Sequence, residues 1–370
     1  MRKVTLVRGA RQLLTLRGPS GPRRGADLRN LGIIQDGAVL IADGLIVEVG
    51  PSRRLDNLAA ARAAEEIDAS GCVVLPGFVD SHIHVVRGST RDLSPRAMKT
   101  LALRVLEEAV RCGTTALETK SGLGITEAVE LKILRVHAAL AELPLTLVST
   151  FLAGGVTGAA RQAAFAERLL PMVRRRKLAE FAEIGCEAEA RHFLTLAREL
   201  GLGVKVSGGA IAMAAQIGAT SVDDVVDAGE RDAMLLAQSH TIATMSPGLA
   251  FHQEAARYAP ARLLIDSGAA VALATGVHPP NLQMTIALAC NAMHMTPAEA
   301  IAASTINGAH AMGRAGSIGS IEAGKSADLT ILGVPDYREL PYHFGVNLVN
   351  LVMIRGAVLV ERSEVKWPAR

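Results

Sequence analysis

The sequence predicts an α/β protein in which a closed (β/α)8 barrel, about residues 73–317, is joined to a small β-sandwich domain built by residues 1–72 and 318–370. Three observations carry this reading. Short β-branched runs alternate with amphipathic stretches of helical period through the middle of the chain. Eight such strand–helix units can be counted. The two ends share a different texture, short alternating apolar segments broken by Gly and Asp.

The N-terminal segment AVLIADGLIVEVG has the period-two pattern and the Asp-Gly punctuation of antiparallel strands joined by tight turns, and the tail repeats it in ADLTILGV and NLVNLVMIRGAVLVER. The eight barrel strands are expected in VVLPGFVDSHIH, TTALETKSG, LTLVSTFLAG, LAEFAEIGC, GVKVSGG, TSVDDV, TIATMSPG and AVALATGVHPPN. Helical segments such as SPRAMKTLALRVLEEAVRCG follow them. A doubly wound open sheet competes, but no Gly-rich dinucleotide loop follows an early strand. GPSGPRRGADLRN reads as an exposed loop, and VRRRK as a solvated helix end.

Size and charge narrow the function. A chain of 370 residues, 49% apolar, can bury a full core. A net charge of +3 on 39 basic and 36 acidic residues gives no field that would select nucleic acid or an anionic membrane, so the expected partner is a small molecule. The four cysteines, Cys72, Cys112, Cys186 and Cys290, contain no C-x-x-C pair, which argues against a zinc knuckle or a redox motif. No apolar run reaches a membrane span, and Arg8 and Arg11 interrupt the apolar region that a secretory signal needs. A soluble, cytoplasmic protein is expected.

The strongest chemical signal is PGFVDSHIH, where His82 and His84 close the first barrel strand. Residues i and i+2 of a strand share a face, so both imidazoles can converge on one ion at the end of the barrel where sites form. Glu118 and Lys120 alternate along the second strand, and Lys120 and Ser121 are expected to line the mouth. His137, His192, His240, His252, His294 and His310 have no partner spacing and read as helix or core histidines.

With D-x-H-x-H in place, the chain resembles the amidohydrolase superfamily, a TIM-type barrel family, and within it the imidazolonepropionases. SHIHVVRGSTR, GTTALETKSGLG, LVSTFL, GLGVKV, TIATMSPGLAF, INGAHAMG, IEAGKSADLTIL and PYHFGVN carry the resemblance. It implies a single divalent metal, zinc or iron, hydrolysis of 4-imidazolone-5-propanoate in histidine degradation, and a homodimer. It also implies that Arg91 binds the substrate carboxylate, for which a guanidinium fork is suited.

Several of the family's site positions hold other residues here. The metal histidine and the water-handling glutamate of the fifth strand are Ser207 and Ala210, the sixth-strand histidine is Asp224, and the eighth-strand aspartate is Gly276. A third-strand histidine is Gly155, and the tyrosine of K-S-G-Y-G is Leu123. Two histidines alone hold zinc weakly, and the family's base is missing. Three readings follow, the last of which, a metal-free enzyme on the same pocket, has no legible nucleophile or base in the sequence to recommend it. In the first, the protein is a non-hydrolysing binding or partner protein for a carboxylate-bearing heterocycle, acting alone or with an active paralogue. In the second, it is a cyclic-amide hydrolase with a rearranged metal site of His82, His84, His278 and Asp224, where Asp223 or Asp224 closes the sixth strand.

Overall fold

The computed structural model describes residues 4–86, 92–122, 126–153, 159–185, 190–361 and 364–367. Two compact units emerge: residues 1–80, 107–116 and 281–370 form one, and residues 81–106 and 117–280 the other.

The first unit holds a nine-stranded mixed sheet. Strands β1 (Val4–Leu14), β2 (Ile33–Ala42), β3 (Leu45–Pro51), β4 (Glu65–Asp68) and β5 (Val73–Pro76) come from the N-terminal part. The β2–β3 turn shows why the sequence reads as a hairpin: Asp43 and Gly44 both have positive φ, 50° and 81°, the twist that a two-residue connection needs. Alternate residues bury on opposite faces. Val7, Val39, Ile41 and Val74 enter one core with Leu329, Ile331 and Met353 from the C-terminal part, while Leu6, Ala38 and Leu40 pack on Leu55 and Ala61.

The eight barrel strands follow in chain order: β6 (Phe78–Ile83), β7 (Thr114–Lys120), β8 (Thr146–Leu152), β9 (Phe181–Ile184), β10 (Gly203–Val206), β11 (Ser221–Asp223), β12 (Ile242–Met245) and β13 (Val271–Leu273). Each neighbours the next, and the pairs from β8 to β13 are parallel. Just beyond β13, Gly276 N–H donates to the His82 carbonyl at 2.9 Å, which brings the last strand end to the first. All eight expected strands are present.

The first of them differs from expectation. VVLPGFVDSHIH is two strands: β5 pairs with β1 and with β14 (Leu329–Leu332) in the terminal sheet, and only β6 enters the barrel. Pro76 has no N–H to extend the ladder, and at Gly77 a Cβ would lie 2.1 Å from Thr115 Oγ1, so the switch between sheets passes where only glycine fits. Strands β15 (Val349–Ile354), β16 (Ala357–Glu361) and β17 (Glu364–Val365) complete the terminal sheet. No helix among the described residues is long and apolar enough to cross a membrane.

Candidate active site

The barrel strands are buried but for the ends of β8 and the start of β10, yet several carry charged side chains. Their pairing defines the site. Lys120, the last residue of β7, is fully buried. Its ammonium donates to Glu183 Oε2 on β9 at 2.5 Å and to Asp223 Oδ2 on β11. Asp223 Oδ2 is in turn 2.7 Å from His82 Nδ1 at the end of β6. Four strands therefore meet through one ammonium, two carboxylates and one imidazole.

A second ion pair lies beside the first. Lys205 on β10 donates to Glu118 Oε2 on β7, its ammonium sits 4.6 Å from the centre of the Phe181 ring, and Thr150 Oγ1 donates to Glu118 Oε1 at 2.7 Å. Glu118 and Lys120 are two residues apart on one strand and face the same way, so β7 contributes one charge of each sign to the interior. Parallel register places Lys205 beside Glu183, and Asp223 beside Thr244.

Burial by itself pushes the Lys120 ammonium down, but Asp223, Glu183 and Glu118 outweigh it and hold the group charged well above the usual lysine range. Burial would raise Asp223, yet Lys120 and His82 hold its carboxyl far below the usual range, so it stays ionised. Glu183 is pushed upward, by burial first, against the pull of Lys120. Two ammoniums, Lys120 and Lys205, face three carboxylates, Glu118, Glu183 and Asp223.

His84 is partly buried and its Nδ1 is 2.8 Å from the Lys120 carbonyl oxygen. A carbonyl only accepts, so Nδ1 carries the proton. Burial, followed by the charge of His82, lowers its pKa to about 3, which keeps the ring neutral. The His82 and His84 rings lie edge to face with centroids 5.7 Å apart.

These positions correct several expectations. Asp224 is exposed, with a left-handed φ of 59°, while its neighbour Asp223 is the buried partner of His82. His278 is exposed beyond the end of β13. Among the described residues no three His, Cys, Asp or Glu side chains converge where one ion could take them all, so His82, His84, His278 and Asp224 do not form the expected cluster. Lys120 and Ser121 do not line an open mouth. Both are fully buried, and the Ser121 hydroxyl accepts from Leu152 N–H at 3.1 Å, which ties β7 to β8. Ser207 N–H donates to the Ile184 carbonyl, and Ala210 is buried just ahead of helix Ile211–Ile217. Arg91, Leu123 and Gly155 lie outside the described residues.

Gly276 lies in a confined position just beyond β13. Its φ is 69°, and a Cβ there would lie 2.9 Å from Ser246 Cβ and 3.1 Å from Leu249 Cβ. The segment after β12 has closed over the position from which a side chain would project.

The amidohydrolase family model matches residues 73–359. The chain is 33% identical to the imidazolonepropionase of Alkaliphilus metalliredigens, over 97% of this chain and 99% of that protein. This chain belongs to the amidohydrolase family. It is also 36% identical to the imidazolonepropionase of Geobacillus kaustophilus, over 97% of this chain and 98% of that one. Among solved structures, this amidohydrolase is similar in fold to an adenosine deaminase from Xanthomonas campestris with bound zinc, with TM-score 0.72, 18% identity and coverage of 98% and 94%. It is likewise similar to the ochratoxinase of A. niger, with TM-score 0.75, 18% identity and coverage of 97% and 96%. The likeness to imidazolonepropionases along the chain supports a hydrolase-type function.

Such relatives imply a metal, for which the interior carboxylates are the available oxygen donors. Glu183 Oε1 and Asp223 Oδ1 are buried and accept no hydrogen bond among the described residues, so spare oxygens exist. The other oxygen of each carboxylate is bound to Lys120, and the strand-eight position is a closed glycine. As arranged, the donor set does not fit a catalytic zinc, which takes three protein ligands and leaves one position open.

Sequence reasoning missed Glu183 and Lys205, and named Glu118 without its partner. A signal was present: Glu183 and Lys205 are each the single charge of an otherwise apolar barrel strand, and a charge there must find a partner across the barrel.

Proposed function

We propose that the protein hydrolyses the C–N bond of a cyclic amide of the imidazolone type that carries a carboxylate, with the His82–Asp223 pair as its base. The observation that carries this reading is the 2.7 Å contact between His82 Nδ1 and Asp223 Oδ2 at the C-terminal end of the first barrel strand. The end of the strands is where a barrel of this kind holds its chemistry. A carboxylate 2.7 Å from Nδ1 steadies the imidazolium that forms when Nε2 takes a proton. In this reading His82 accepts a proton from water as the oxygen attacks the amide carbon. The C–N bond then breaks, and the ring nitrogen leaves with the proton that His82 returns. Full-length likeness to imidazolonepropionases supports the substrate class, and Arg91 is assigned to the carboxylate. A homodimer is the assembly proposed.

A second reading, a non-hydrolysing protein that binds such a ligand alone or beside an active paralogue, is favoured by one arrangement: Ser207, Ala210 and Gly276 stand at the positions from which the family's catalytic groups project. One experiment separates the two. The purified chain is incubated with 4-imidazolone-5-propanoate while the ring absorbance and the product mass are followed. Ring opening with gain of one water that disappears in His82→Ala supports hydrolysis. Saturable binding without product supports the second reading and sinks the first.

A further inference from the structure

We propose that the Lys120 ammonium, held between the acids of the fourth and sixth barrel strands, is the resident cation of this barrel and keeps a divalent metal from binding beside His82, so that its electrostatic centre needs no metal. The inference goes beyond the hydrolase reading, because it holds whether or not the site turns over. It is a disagreement between this chain and the zinc-binding proteins it is similar to in fold.

The geometry states the case. The ammonium lies 2.5 Å from Glu183 Oε2 and within hydrogen-bonding distance of Asp223 Oδ2, and Asp223 Oδ2 touches His82. The group at the centre of two carboxylates and next to an imidazole is thus a cation supplied by the chain. A buried ammonium is strongly unfavourable without compensation, and these carboxylates compensate it. They cannot also neutralise a metal. An ion placed on His82 and His84 would have two neutral donors, would face the ammonium at short range, and would find no side chain at Gly276. A lysine suits the role for a steric reason as well: its unbranched stem reaches inward from the end of β7 to two other strands, and its three N–H groups serve more than one acceptor.

The test measures metal directly. The full chain, purified without added metal and again after incubation with zinc, is analysed by elemental analysis, and its thermal unfolding is followed with zinc and with chelator. The expected result is substoichiometric metal and an unfolding temperature that neither zinc nor chelator moves. Lys120→Met keeps the stem and removes the charge, leaving two carboxylates beside His82 with no ammonium between them. It is expected to bind zinc about tenfold or more tightly than the parent, with an unfolding temperature that rises on zinc addition. Stoichiometric zinc in the parent chain, lost in His82→Ala, overturns the inference. So does a folded Lys120→Met that binds zinc no better than the parent. If Lys120→Met does not fold, the parent chain's metal content decides alone. Turnover that requires bound metal defeats this inference and spares the hydrolase reading. Absence of both metal and turnover supports this inference and defeats the hydrolase reading.

Discussion

Asp223 and Asp224 are adjacent, identical in chemistry and opposite in environment, so exchanging each for asparagine is a sharp test of the site. Asp223→Asn preserves shape but removes the negative charge shared by the Lys120 ammonium and His82. Lys120, fully buried, is left with Glu183 as its close carboxylate. Breaking a buried pair from one side costs about 3–5 kcal/mol, because the remaining charge stays buried. Asp224 is exposed and sits at φ 59°, a conformation asparagine tolerates well, so Asp224→Asn should change stability by no more than about 0.5 kcal/mol. The pH dependence follows from the depressed Asp223 pKa. A carboxyl held below its unfolded value contributes its full stabilisation above that value, near pH 4, and loses it as pH falls through the folded pKa. The gap between parent and Asp223→Asn should therefore stay constant from pH 8 to about 4.5 and close below that. Urea unfolding followed by circular dichroism at several pH values measures it. Equal losses for the two variants, or a loss below about 1 kcal/mol for Asp223→Asn, would refute the assignment of Asp223 as the interior acid.

Other consequences can be checked on the same footing. Lys205→Met strands the Glu118 carboxylate and should cost about 3–5 kcal/mol, whereas adding Glu118→Gln, which keeps an acceptor for Thr150, should recover most of it; a double variant no better than the single breaks the argument. His137 is fully buried between the Thr119 and Ser149 hydroxyls, and burial lowers its pKa to about 3. The unfolded chain takes up that proton near pH 6.5, so stability should fall by about 2 kcal/mol between pH 7 and 5 from this ring alone, a decline that His137→Gln should flatten. Gly276→Asp should not rebuild a metal site: it forces a side chain into a left-handed position against Ser246 and Leu249 and should lower stability by about 1–3 kcal/mol without raising zinc content. If the chain hydrolyses an imidazolone, His82→Ala should reduce turnover by roughly a hundredfold or more, as expected for loss of a general base, and a smaller effect would remove His82 from that role.

The barrel strands were legible because a parallel strand covered on both faces reads as a short β-branched run, and a helix follows each one at its own period. His82 and His84 were legible because two side chains at i and i+2 share a face whatever the rest of the fold does. Asp223 and Asp224 were not separable. Successive residues at a strand end point in opposite directions, and only the pairing of β11 with β10 and β12 fixes which one turns inward. Lys120 was read as lining the mouth because alternation gives the face and not the depth. Its burial follows from Glu183 and Asp223, which lie 63 and 103 residues further along the chain.

By itself the sequence determined the family, the order of eight strands and the paired histidines. These are local facts, set by period, spacing and residue identity. Tertiary structure decided what the remaining charges do: it brought Lys120, Glu183, Asp223 and His82 together from four strands, and it closed Ser246 and Leu249 over Gly276. The physical reason is that the sign of a charge is written in the residue, while the partner that makes its burial tolerable is supplied only when distant strands close into a barrel.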